Sequence, residues 1–179
     1  MQYTIVRTAR KTIAIQITPD GRVVVRCPKR MSKAAVEQFV VSKRSWIENH
    51  LEKRGPMQPS LTERELDALV ARARIVFAQR AAWFATLVGV DYGRISIRKQ
   101  HTRWGSCSGK GNLNFNCLLV LAPEPVLDYV VVHELCHRKQ MNHSPAFWAE
   151  VERILPDYRQ RRDWLKTHGN ALISRLPRA

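Results

Sequence analysis

Asp128-Tyr129-Val130-Val131-Val132-His133-Glu134-Leu135-Cys136-His137 joins an apolar run to two histidines four residues apart. In an α-helix, residues four apart share a face, so both imidazoles can reach one ion. Glu134 falls beside that face, where a carboxylate can bond a metal-held water and accept its proton. The preceding Tyr129–Val132 run implies a buried helix rather than a polar surface one. A chain with six histidines and nine glutamates meets HExxH by chance only about once in a hundred. The spacing therefore predicts a metal centre, with one zinc ion per chain as the expected cofactor. Three protein ligands leave a fourth position open on zinc, and the ion lowers the pKa of water there toward about 7.

His143 is the candidate third ligand. It lies six residues after His137, a separation shared with the extended metzincin pattern. That pattern places glycine midway, whereas this chain has Gln140, so a different turn is expected, with Asn142 as its left-handed residue. Glu150 and Glu152, on the next helix, are the carboxylate alternatives.

Working outward, Pro123 and Pro125 flank the start of the motif helix, where the missing donor costs little. Ser144-Pro145 caps a helix through Ile154, and Pro156 opens a final one past Trp164. Upstream, Thr62-Glu63-Arg64-Glu65 fits a capping box, with Leu61 and Leu66 as a staple. The helix that follows carries Leu66, Leu69, Val70, Ala73, Phe77, Ala81, Phe84 and Leu87 as core and ends near Gly89. Arg94–Arg98 and Asn112–Asn116 read as strands on either side of a polar loop, Lys99–Gly111. In the first thirty residues, Ile13, Ile15 and Ile17 alternate with polar neighbours, Pro19-Asp20-Gly21 supplies a turn, and Val23–Arg26 completes a hairpin. Ser32 caps a helix expected to reach Arg54, and Gly55-Pro56 opens a linker. The expected order is β-β-β-α-α-β-β-α-α-α, an α+β fold. At 179 residues the chain is expected to be one domain, with a strand-rich part at 1–30 and a catalytic core at 94–174.

Composition narrows the partners. Thirty Lys and Arg against fifteen acids give a net charge of +15 and a pI near 10.4. Residues 1–36 hold eight of those cations and one acid, Asp20. Such an excess draws anions, so nucleic acid or nucleotide is a candidate partner through the basic surface. Cys27, Cys107, Cys117 and Cys136 form no CxxC pair and read as reduced thiols of a cytoplasmic protein. No signal peptide is visible and no apolar run could span a bilayer, so no membrane partner is expected.

Arg103-Trp-Gly-Ser-Cys107, Asp128 through His137, Asn142-His-Ser144 and Phe147-Trp148 together resemble the YgjP-like metal-dependent hydrolases. These are grouped with SprT-like and minimal gluzincin-related zinc peptidases, and the similarity extends to Asp20-Gly21 and Trp46-Ile47. The resemblance implies a compact zincin-like fold, with N-terminal strands, an HExxH active-site helix and a helical C-terminus. It implies His133, His137 and His143 as ligands and Glu134 as catalytic base. Both metallopeptidase and nucleoside triphosphate pyrophosphatase activities have been assigned within the group.

Other residues are weaker candidates. The strand at Asn112 is expected to line the cleft and pair with an extended peptide. His101, Arg103 or Asn114 could then polarise a carbonyl or bind a phosphate, and Tyr129 or Tyr158 could donate to a transition state. The plainer expectation is that Trp104 packs and Arg103 forms an ion pair. Cys107 is a candidate regulatory metal ligand, more simply a buried thiol. The leading function is hydrolysis of a protein or peptide substrate. The alternatives are hydrolysis of a nucleoside triphosphate such as UTP, and a nucleic-acid-binding module with structural zinc. No Gly-rich phosphate loop favours the nucleotide, and a structural site normally fills all four positions.

Overall fold

The computed structural model describes residues 1–18, 21–52 and 59–177. The expected turn residues Pro19 and Asp20 and the linker at Gly55-Pro56 lie outside the described residues. By internal contacts the chain divides into two compact units, Met1–Pro59 and Ser60–Ala179.

In the first unit, β1 (Thr4–Thr8), β2 (Ala14–Ile17) and β3 (Val23–Pro28) form a sheet ordered β1-β3-β2. The alternating isoleucines pair antiparallel with β3, Ile15 opposite Val25, which is the expected hairpin, while β1 runs parallel to β3. Ser32 caps α1 (Lys33–Ser42), its Oγ accepting from Ala35 N at 3.2 Å. The expected single long helix is in fact two, because α1 ends at Lys43 and α2 (Arg44–Glu52) follows. Val25, Cys27, Val36, Val40 and Ile47 fill the core between sheet and helices.

The second unit opens with α3 (Glu63–Val88). Thr62 and Glu65 complete the capping box, each side chain bonding the other's backbone N–H. Gly89, at φ +76°, closes the helix in the left-handed conformation that glycine adopts without a Cβ penalty. A second sheet, ordered β4-β6-β5, comprises β4 (Ile95–Arg98), β5 (Gly105–Cys107) and β6 (Leu113–Asn116). β5 lies inside the stretch expected to be a loop. It is short and lacks an alternating pattern, so periodicity could not reveal it. A 3₁₀ turn at Cys117–Leu121 leads into α4 (Glu124–Cys136), followed by α5 (Pro145–Ile154) and α6 (Tyr158–Ile173).

Helix α4 is the centre of this unit, packed against α3, α5, α6 and β5. Nearly every residue from Val126 to Cys136 is buried, as befits a helix apolar all round. Asp128, the buried one of its two early acids, receives Arg80 of α3 in a two-pronged pair, Nε to Oδ1 at 2.6 Å. Burial raises the Asp128 pKa and the Arg80 hydrogen bond opposes that rise, so the pair ties the motif helix to its longest neighbour. Among the described residues no helix is long and apolar enough to cross a membrane.

Candidate metal centre

The end of α4 sets the geometry of the site. His133 and Glu134 occupy its last turn, and His137 is its C-terminal cap, φ −62°. The chain then reverses and reaches His143 one residue before Ser144, whose Oγ accepts from Phe147 N at 3.3 Å to start α5. No non-glycine among the described residues has a positive φ. Asn142 is therefore not left-handed as expected. The six-residue connection is long enough to turn back with ordinary backbone angles.

These elements bring His133, His137 and His143 together, one ligand nitrogen of each lying within 4.8 Å of the others. Tetrahedral zinc, with bonds of about 2.0–2.1 Å, needs its ligand nitrogens about 3.4 Å apart, a spacing within reach of small ring movements. His133 Nε2 and His143 Nε2 face each other at 3.1 Å. Two imidazole nitrogens that close must share a proton or a cation. Burial, with His137 and His143 adding, pushes His133 down to about 3, so it stays neutral, the form that ligates metal. His137 is also lowered by burial, and its Nδ1–H donates to Gln140 O at 3.0 Å, which leaves Nε2 to the site. Phe147, fully buried, lies 4.6–4.9 Å from all three imidazole rings and holds them in place. The donor set fits a divalent transition metal. Glu150 is instead paired with Lys139 and Arg153, and Glu152 with Arg159.

Glu134 is 4% exposed, and burial pushes its carboxyl up to about 8 against an opposing backbone hydrogen bond at Cys107. Its Oε2 is buried with no hydrogen-bond partner among the described residues. The neighbouring backbone is Gly105 of β5. A Cβ there would stand 2.6 Å from Glu134 Oε1, so only glycine admits the carboxyl. Sequence reasoning missed this requirement, which arises from a contact between segments 29 residues apart and leaves no local signal.

A cleft of about 360 Å³ opens beside the site, walled by Trp104, Gly105, Tyr129, His133 and Glu134. Trp104 also packs on Gly169 of α6, as expected of it, where a Cβ would meet the indole at 2.9 Å. Burial pushes the Tyr129 phenol up to about 12, which keeps its proton in place. Arg103 is exposed on the cleft and makes no ion pair among the described residues, contrary to the plainer expectation.

His101, Asn114 and Tyr158 are not among the cleft-lining residues. Asn114 instead bridges Ser106 Oγ and Arg98 Nε across its sheet, and Tyr158 is buried in a stack with Trp148 and Tyr129. The strand expected to pair with a peptide also shifts. β6 is central and bonded on both sides, so the edge beside α4 belongs to β5. Cys107 stands apart from the histidine cluster, its thiol pushed up chiefly by burial. All four cysteines are free.

An α+β unit that closes three imidazoles around one point, next to a buried carboxyl, is a metal-dependent hydrolase of metallopeptidase type. Residues 11–68 and 57–168 match the family model described as YgjP-like, metallopeptidase domain, and the chain belongs to the YgjP-like family. The crystal structure of the metallopeptidase zymogen of Pyrococcus abyssi abylysin is similar at 24% identity and a TM-score of 0.48. That match covers 51% of this chain and 92% of the other. No curated protein matches.

Proposed function

We propose that this chain is a zinc-dependent peptidase in which His133, His137 and His143 hold the ion and Glu134 is the general base. The observation that carries the reading is Glu134 itself: a buried carboxyl with an unpartnered oxygen, lining a cleft alongside a metal-binding imidazole. Buried polar atoms in folded proteins nearly always have partners, and a substrate water is the partner this one fits. Bound zinc would polarise the scissile carbonyl and make water a stronger acid. A dication held by the neighbouring imidazoles would favour the ionised form of Glu134 over the protonated form that burial alone favours. The carboxylate Oε2 takes the proton from the attacking water and returns it to the leaving amine. Tyr129, protonated and on the same cleft, offers an O–H to the oxygen on which charge develops. The open edge of β5 can receive an extended peptide by adding a strand. Folding of both units into one metallohydrolase, with the chemistry confined to the second, completes the proposal.

Glu134→Gln tests it. Zinc content should be unchanged while cleavage of casein falls by about 10²–10⁴-fold, the usual weight of a general base. A variant as active as the parent would sink the assignment. UTP turnover by a parent chain that cleaves no protein would move the same centre to nucleotide hydrolysis.

A further inference from the structure

Helix α6 carries three arginines, Arg159, Arg161 and Arg162, that are treated differently. Arg159 pairs with Glu152 at 2.7 Å, and Arg161 pairs with Asp157 at 2.9 Å and also donates to Pro125 O. Arg162, which lines the cleft, has no hydrogen bond and no ion pair among the described residues, and its Nε is buried without a partner. Asp163, the nearest acid in sequence, is taken by Lys166 at 2.9 Å. The guanidinium is nevertheless held firmly. It lies 5.2 Å from the Trp148 ring centre and 5.8 Å from that of Tyr158, and those two rings stack on each other at 5.4 Å. A cation–π seat of this kind fixes the plane of an arginine while leaving its N–H edge to be used.

The electrostatics of the cleft point the same way. Arg103, Arg162 and Lys166 line it together with Glu134 as the one acid. A buried Nε–H without an acceptor, as in Arg162, is costly, and a planar fork of N–H donors matches a carboxylate in two parallel bonds.

From this we infer that Arg162, assisted by Arg103, is a carboxylate-binding subsite of the cleft, so that the substrates taken are peptides bearing a carboxylate beside the scissile bond. The carboxylate comes either from the chain terminus or from an Asp or Glu side chain. Because the inference rests on the peptidase reading, its test must fail separately from that reading.

Binding, not turnover, is the readout. Glu134→Gln full-length protein with its metal is titrated by fluorescence anisotropy with three labelled decapeptides: neutral and amidated, neutral with a free C-terminus, and amidated with one internal Glu. At least one carboxylate peptide should bind about tenfold or more tightly than the neutral amide, the weight of one charge-assisted two-pronged contact. Preference for the free terminus assigns the subsite to the terminal carboxylate, and preference for the Glu peptide assigns it to a side chain. Adding Arg162→Gln should abolish the preference, and Arg162→Lys should keep part of it, since charge remains without the fork. The lysine variant also serves if the glutamine one fails to fold by circular dichroism. Equal binding of the three peptides, or a preference that survives Arg162→Gln, overturns the inference. So does Arg162-dependent binding of UTP that exceeds every peptide. Casein cleavage by the parent chain is scored in parallel: a carboxylate preference without any cleavage keeps the subsite and sinks the peptidase reading, while cleavage without preference does the reverse.

Discussion

The cores of the two units differ in what they enclose. Val23, Val25, Cys27, Val36, Val40 and Ile47 form the buried core of Met1–Pro59, and every one is apolar. In Ser60–Ala179 the core closes also over Asn116, Asp128, Glu134 and His137. Two of those four are satisfied by neighbours. Asn116 donates to Gln100 O and Arg103 O and caps Leu118 N, and Asp128 holds Arg80. Glu134 keeps one oxygen unpartnered. Burying a polar group is costly unless it is bonded, yet an open valence alone does not mark chemistry: Thr8 Oγ1 and Arg10 Nε of the first unit are buried without a partner, as Glu134 Oε2 is in the second. What sets Glu134 apart is its place on a cleft beside the cluster of three imidazoles, which has no counterpart among the described residues of the first unit.

The largest expected effect separates the two cores. Phe77 is fully buried and stacks on Phe115 with centroids 4.4 Å apart. Phe77→Ala should cost about 3–5 kcal/mol. Hydrogen exchange should show the loss in amides of the second unit and leave those of β1–β3 at their parent protection. Uniform loss across both units would make them one cooperative block and blur the comparison.

Gly105→Ala sharpens it from the side of the chemistry. The new Cβ would stand 2.6 Å from Glu134 Oε1 and 2.8 Å from its Cγ, so the Glu134 side chain must shift. Activity should fall by about 10²-fold, the expected cost of misplacing a catalytic group by an ångström, with the melting temperature little changed. Retained activity would show that Glu134 has freedom the structure does not suggest.

A smaller effect concerns pH. Arg153, then Lys139, hold the Glu150 carboxyl down to about 2. A depressed folded pKa contributes stability that is present above the unfolded value near 4.5 and lost as pH falls toward 2. Glu150→Gln should flatten the acid limb of the second unit's unfolding curve in that window. Because the pair is partly open to solvent, the change should be modest and shrink in high salt. An unaltered acid limb would place the sensitivity elsewhere.

How much was legible in the sequence follows the same division. His133, Glu134 and His137 were readable because helical spacing alone makes them neighbours, and Thr62 with Glu65 because a capping box is local. The isoleucine alternation of β2 was equally local. What escaped depends on distant contacts. β5 contains only Gly-Ser-Cys, Gly105 is required by a side chain 29 residues away, and Arg162 sits in a run of arginines whose pairing only the fold distinguishes. The break between α1 and α2 falls at Lys43, with no glycine or proline to announce it.

Metal content of the purified full-length chain, set against His143→Ala and Glu134→Gln, tests the central claim most directly. The account predicts one zinc per parent chain, zinc retained by Glu134→Gln with activity gone, and zinc lost from His143→Ala. Zinc retained by His143→Ala, or absent from the parent chain, would contradict it.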